Sequence, residues 1–313
     1  MKATIQRLHP FPDIPSASGM EIIGNRVYVI GDDSPWLYVL DLASLKQVGR
    51  IRLFESDDFG SGRIPKPLKP DLECLTLLDI DGGHHLAAFG SGSAPNRARG
   101  YVVRIPAASQ EAAQVRPYSL QELYRALQAE PELLGDEVLN LEAAAVTTDQ
   151  VLLFQRAART GPNLLLAFNK VEFWAYLTHS REALPAYQAI PFQLPALEGS
   201  AAHFSGAVVH DKQLFFTASV ENTTDAILDG EVMGSFIGWI DLAALQPDAG
   251  PLRPHTALVL NKKGEPYKGK VESLVILDSR RPHTFRALAI TDNDQGQSEL
   301  LELELVLKAG AAD

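Results

Sequence analysis

Apolar residues in this chain arrive in short runs rich in Val, Ile, Leu and Phe, separated by Gly, Pro, Asp and Asn. Runs of roughly four to eight residues between turn formers predict β-strands, because a strand needs only a few extended residues with one face to bury. The runs group into units of four. The first spans 21–23, 27–30, 36–42 and 47–54, and the second 72–80, 85–89, 100–105 and 115–118. The third spans 141–146, 151–155, 163–168 and 187–193, and the fourth 204–209, 213–218, 236–240 and 256–260. A fifth has only three, 271–277, 285–290 and 299–305. A candidate for its fourth strand lies at the other terminus, where 4–11 has the length and residue types of the other fourth strands.

The units share a marker, a glutamate opening an apolar run. It stands in Met20-Glu21-Ile22-Ile23, Leu72-Glu73-Cys74-Leu75, Leu141-Glu142-Ala143-Ala144 and Val271-Glu272-Ser273-Leu274, while Phe204-Ser205-Gly206-Ala207 carries serine instead. Successive markers are 52, 69, 63 and 67 residues apart. Near-equal units of this size signal a radial repeat. The expected fold is an all-β, five-bladed β-propeller with four-stranded blades, its ring closed by the N-terminal strand pairing with the last blade. That pairing would remove two free sheet edges. One domain would then cover 1–313, with blades near 18–55, 70–118, 139–194, 203–261 and 269–307 plus the strand 3–12. A six-bladed ring is the alternative, but no sixth glutamate-led run exists to mark it.

Helix is expected mainly over 119–128, with Ser119 as N-cap, Glu122 completing a capping box and leucines at 120, 123 and 127 on one face. The segment 172–177 reads equally as strand or helix.

Composition narrows the function classes. With 46% hydrophobic and 21% charged residues the chain can build a large core. No run approaches the roughly 20 apolar residues of a membrane span, and the N-terminus lacks the apolar core of a secretory signal, so a cytoplasmic location is expected. A net charge of −11 argues against nucleic-acid binding, which needs basic surface to displace counterions. The single cysteine, Cys74, sits in an apolar run and reads as packing.

Candidate chemistry follows from the repeat. Innermost strands of a propeller line its channel, so Glu21, Glu73, Glu142 and Glu272, with Asp33 from a neighbouring turn, are candidate metal ligands. Hard oxygen donors gathered on an axis suit Ca²⁺. The same glutamates could equally accept backbone hydrogen bonds from the next blade. Turns after the second strands differ in residue type between units, as a binding site around one ligand would require; Glu221, Asp292 and Asp294 lie there. The segment Gly90-Ser91-Gly92-Ser93-Ala94-Pro95-Asn96-Arg97-Ala98-Arg99-Gly100 offers backbone N–H groups and two arginines to an anion. The next unit brings Arg156 and Arg159 in a similar loop. Ser91, Asn96, Arg97, Arg99, Arg156, Glu221, Asp292 and Asp294 are therefore the candidate ligand-binding residues. None of the eight histidines shows a metal spacing, and Ser205-Gly206 lacks a nucleophile-elbow context.

Lys69-Pro70-Asp71-Leu72-Glu73, Gly90-Ser91-Gly92-Ser93-Ala94-Pro95-Asn96-Arg97, Asn140-Leu141-Glu142-Ala143-Ala144, Asp229-Gly230-Glu231-Val232-Met233-Gly234-Ser235, Lys270-Val271-Glu272-Ser273-Leu274 and Thr291-Asp292-Asn293-Asp294 resemble an uncharacterised group of bacterial β-propeller proteins allied to phytase-like and esterase-like propellers. The resemblance implies acidic residues around the channel that hold calcium, which in turn holds phosphate. It would give Glu73, Glu142 and Glu272 metal-side roles and turn Arg97 and Arg156 toward an anion. Two departures stand against it: Ser205 interrupts the acid ring, and dense acidic clusters are missing. The expected function is binding of a small anionic ligand at the channel mouth, with calcium-assisted hydrolysis of an ester or phosphoester. The alternative is a propeller that binds a ligand or protein without turnover.

Overall fold

The computed structural model describes residues 1–11, 13–106, 111–157, 161–221, 231–247, 250–292 and 297–307. Strand β1 (Lys2–Phe11) comes first. One four-stranded antiparallel sheet follows as β2 (Ala17–Ile23), β3 (Arg26–Gly31), β4 (Trp36–Asp41) and β5 (Gln47–Arg52). The next holds β6 (Leu72–Ile80), β7 (Gly83–Gly90), β8 (Arg99–Ile105) and β9 (Gln114–Ser119), and the third β10 (Leu141–Val146), β11 (Gln150–Gln155), β12 (Asn163–Asn169) and β13 (Tyr187–Phe192). A short hairpin, β14 (Ala196–Leu197) and β15 (Ser200–Ala201), precedes β16 (His203–His210), β17 (Gln213–Glu221), β18 (Val232–Asp241) and β19 (His255–Leu260). The last strands are β20 (Lys270–Arg281), β21 (Thr284–Asp292) and β22 (Ser298–Val306).

Strand β1 pairs antiparallel with β22 over most of its length, from Lys2 opposite Val306 to Phe11 opposite Ser298. It also pairs in parallel with β19 through Ala3 and Thr4. That second contact, which sequence pattern did not suggest, joins the last two groups into one eight-stranded sheet. The arrangement is propeller-like: β2 packs against β6, β6 against β10, β10 against β16, β16 against β20, and β20 against β2.

This arrangement explains why hydrophobic and polar residues divide as they do. Apolar side chains gather between successive sheets, not at the centre. Phe154, Phe192, Phe204 and Phe216 interlock edge to face between the β10–β13 sheet and β16–β18. Separate clusters fill the remaining gaps, such as Ile30, Leu37 and Leu72 between the first two sheets. Each sheet is thus buried on both faces, which is why its strands read as nearly continuous apolar runs. Polar residues are left for the axis.

Helix α1 (Gln121–Gln128) lays Leu123, Tyr124 and Leu127 on the core between the second and third sheets. Its N-cap is Leu120 rather than the expected Ser119, because Ser119 still pairs with Arg99 in the sheet and the chain turns only afterwards. A short helix α2 (Pro131–Leu134) follows. The segment left open between strand and helix belongs to helix α3 (Lys170–Leu177), capped by the Asn169 side chain, which accepts from the backbone N–H of Val171 and Glu172. No helix among the described residues is long and apolar enough to cross a membrane.

Candidate functional site

Each innermost strand carries one extra residue near its start, a β-bulge that turns a side chain out of the ladder. Register places the bulge at Ser18 in β2, Glu73 in β6, Glu142 in β10, Ser205 in β16 and Glu272 in β20. These five positions, not the glutamate-led runs, are the true repeat. The first unit was therefore misaligned by three residues: Ser18 is the counterpart of Glu73, and Glu21 lies further along the strand. The two serines span the gap to the next inner strand. Ser18 Oγ donates to Leu72 O at 2.5 Å and Ser205 Oγ to Val271 O at 2.6 Å. A carboxylate cannot donate to a carbonyl, so glutamate at this position is freed to face the axis.

Two further layers follow from the same register. Two residues before each bulge stand Ser16, Asp71, Asn140, His203 and Lys270; at the matching point of each second strand stand Asp32, Ser91 and Arg156, just past the last pair, and Ser219 and Asp292, which pair with His203 and Lys270. A polar cavity of about 60 Å³ lies here, lined by Ser18, Asp32, Lys69, Glu73, Glu142 and Glu272. Ser16, Ala17, Lys66, Asp71, Arg97, Asn140, Lys270 and Asp292 complete it.

Most charges here are already matched. Lys69 Nζ bonds Asp32 and lies 2.8 Å from Asp71 Oδ1. Arg97 Nη1 donates to Asp71 Oδ2 and to Ser93 Oγ, both at 2.8 Å, and Ser91 Oγ donates to the same Asp71 oxygen. On the other side Arg156 Nη2 donates to Glu221 Oε1 at 2.6 Å, and Arg156 Nη1 reaches Phe204 O and Ser219 Oγ at 3.1 Å. Lys270 Nζ sits 2.9 Å from Glu272 and 3.5 Å from Glu221. Burial alone would raise Glu221, but Lys270 and Arg156 pull its carboxyl down to about 2. Burial, with Arg156 close by, lowers His203 to about 4 and keeps it neutral.

Glu73 is the exception. It accepts no hydrogen bond and makes no ion pair among the described residues, while burial and then the nearby Glu142, Asp71 and Asp32 push its carboxyl well above the ordinary range. Two other acceptors are unmatched at this mouth, Glu272 Oε2 and Asp32 Oδ1, both shut away from solvent.

Several expected site residues lie elsewhere. Arg99 is exposed on β8, where it pairs with Ser119. Asn96 is exposed and donates to the Pro67 and Lys69 carbonyls, holding the loop that carries Lys69. Asp33 is bound by the Arg63 guanidinium and the Ser16 hydroxyl, so its neighbour Asp32 is the one that faces the cavity. Asp294 and Arg159 lie outside the described residues. Lys69, Asp71, Asn140 and Lys270 were missed as site residues. The signal for three of them was present, a polar residue two before each marker.

Glu21 lies at the far end of the inner strands, where its Oε1 accepts from the Leu77 backbone N–H at 3.1 Å. Burial raises its carboxyl to about 7, with the Leu77 bond opposing and Asp79 assisting. The folded value lies above the usual 4.5, so the protonated form is the one folding favours. Its contribution is complete below about pH 4.5 and is lost as pH rises through 7. Glu21→Gln removes that loss. Urea unfolding should show the variant gaining on the natural protein by on the order of 2–3 kcal/mol between pH 4 and pH 8, and a pH-independent difference would contradict this.

Among solved structures the chain resembles the Myxococcus xanthus glutaminyl cyclase, with a TM-score of 0.51 at 11% identity, covering 98% of this chain and 97% of that one. It is also similar to the Cellvibrio cellulosa α-L-arabinanase solved with arabinohexaose, with a TM-score of 0.47 at 14% identity over 93% and 91% of the two chains. At such identities the likeness to the cyclase speaks for a propeller-like fold and nothing more. No protein of curated function matches the sequence. A family profile does match residues 13–305, nearly the whole described chain, and the protein therefore belongs to the family of unknown function DUF6929.

Proposed function

We propose that the chain forms a five-bladed β-propeller closed by β1, and that its polar mouth is a metal-independent acid–base site for a small, uncharged substrate rich in hydrogen-bond donors. The observation that carries this reading is Glu73, a cavity-lining carboxyl with no partner in a site where other charges are matched. The unmatched atoms at the mouth are mostly acceptors, so hydroxyl or N–H groups complement them better than an anion does. A cavity of about 60 Å³ admits only the reacting end of a substrate, since each water centre alone needs roughly 10–15 Å³.

Chemically, Glu73, whose carboxyl burial and then Glu142 push well above the ordinary range, is the group suited to hold a proton and hand it to a leaving-group oxygen. Glu142, held by Asn140 Nδ2 at 2.8 Å, takes the proton of the attacking water. The proton count balances, with one given, one received and exchange with solvent restoring both.

Calcium-assisted hydrolysis of an anionic ester, which the family resemblance implies, is supported less well. Oxygens of Asp32, Asp71 and Glu73 do lie within 4.8 Å of one another. However, Lys69 already contacts two of the three acids, so a divalent ion would have to displace a buried ammonium. The arginines proposed for an anion are largely engaged, Arg156 by Glu221 and Arg97 by Asp71, with Arg97 Nε left as a buried donor without an acceptor.

A survey of nitrophenyl glycosides, neutral carboxylate esters and phosphate esters, with and without EDTA, separates these readings. Turnover of a neutral substrate that chelator leaves unchanged is expected. Turnover confined to phosphate esters and abolished by EDTA would favour calcium instead. Absence of turnover on all classes, with Glu73 titrating as an ordinary carboxyl, would leave a binding scaffold.

A further inference from the structure

The far mouth of the channel holds a second cavity, about 450 Å³, which shares no lining residue with the first. Along the strands between them, one residue beyond each bulge, stand Gly19, Cys74, Ala143, Gly206 and Ser273, of which Cys74 and Ala143 belong to inter-sheet cores. There neighbouring inner strands pack closely against one another. A Cβ on Gly206 would lie 2.4 Å from Glu272 O, and one on Gly19 2.7 Å from Leu75 Cβ. The second cavity is in the size range of small-molecule sites, roughly 300–1,000 Å³.

Its walls are consistent in character. Three residues past each bulge stand Glu21, Thr76, Ala145, Val208 and Val275, and one further along stand Ile22, Leu77, Val146, Val209 and Ile276. The second of these layers is wholly apolar and only partly buried, each member lying at the edge of a different inter-sheet core. Within the two layers Glu21 is the single ionisable side chain. Other charges are at the rim. Asp79 is taken by His84 at 2.5 Å, Lys170 Nζ reaches toward Thr147 O at 3.5 Å, and His210 sits 3.7 Å from Asp211.

We propose that this pocket binds a small alkylammonium ligand, its ammonium on the Glu21 carboxylate and its hydrocarbon chain against Ile22, Leu77, Val209 and Ile276. A pocket with one apolar layer and a single acid in its inner two layers matches a cation carrying an apolar body, and disfavours carboxylates because like charge would meet at Glu21. Apolar contact supplies the affinity, and the charge-assisted bond supplies orientation and selectivity. This inference stands apart from the acid–base site at the opposite mouth and survives its failure.

The test titrates the full chain at about pH 8, above the Glu21 value of about 7 and below that of an alkylammonium, with n-hexylamine hydrochloride, n-hexanol and sodium hexanoate, following backbone amide and methyl shifts by NMR. Hexylamine is expected to perturb Val208, Val209 and Ile276, with hexanol weaker and hexanoate inert. Glu21→Gln retains the acceptor for Leu77 N–H, so the fold is kept, and it should weaken hexylamine about tenfold or more. Glu73→Gln at the other mouth should leave binding unchanged. Hexanoate binding as well as hexylamine, an unaffected Glu21→Gln, or shifts confined to other surfaces would each overturn the proposal.

Discussion

Glu73→Gln is expected to lower turnover of any neutral substrate found in the survey by about 10²–10⁴-fold, the usual worth of a positioned general acid, without harming the fold. The reasoning rests on what surrounds the side chain. Among the described residues Glu73 accepts no bond whose loss could unsettle β6, and its charge is disfavoured by burial beside Glu142 and Asp71. Glutamine has the same shape but no transferable proton. The rate of the natural protein should fall as pH rises through the raised Glu73 value, because the acid form is the one that works. The variant should lose that limb, and its stability at pH 8 should equal or exceed that of the natural protein. A carbon-13 titration of the Glu73 carboxyl reads the same property without a substrate. An ordinary titration there, together with undiminished turnover in the variant, would remove Glu73 from the mechanism.

The second large effect is structural. Arg156→Ala is expected to cost about 3–5 kcal/mol in denaturant unfolding, the usual result of removing one partner from a buried ionic group. Arg156 is 8% exposed and links three elements: it bonds Glu221 and Ser219 in β17 and the Phe204 carbonyl in β16, and it lies 3.8 Å from Glu142 in β10. Without it the buried Glu142 and Glu221 keep Asn140, and Lys270 with Ser219, as counterweights. Arg286→Ala is the control. Arg286 pairs with Asp278 at the surface, with both side chains about two-fifths exposed, and such pairs contribute about 0–1 kcal/mol. Equal costs for the two variants would show that the Arg156 network does not help hold the inner strands together.

Much of this was legible in the chain. Apolar runs bounded by turn formers marked nearly every strand, since a strand's requirement is local, and the N-terminal segment was recognised as a partner for the last strands. Glu73, Glu142 and Glu272 were identified because a bulge recurs at one point of a repeated unit. Glu21 was mistaken for their counterpart because it, too, precedes an apolar pair, and only cross-strand register distinguishes a bulge at Ser18 from a regular position three residues later. Arg99 and Asn96 misled for a similar reason, as a loop rich in small residues and arginine does not reveal which side chains turn inward.

Sequence by itself determined the strand order, the repeat and the types of polar group available to the axis. Hydrophobic periodicity and turn chemistry act between neighbours in the chain, so they are written in it. Tertiary structure alone decided which charges meet. Lys69 comes to lie between Asp32 and Asp71, and Lys270 between Glu221 and Glu272, only once successive sheets have packed. Electrostatic pairing depends on distances of a few ångströms between residues that are far apart in sequence, and the same packing that neutralised the arginines left Glu73 facing the cavity without a partner.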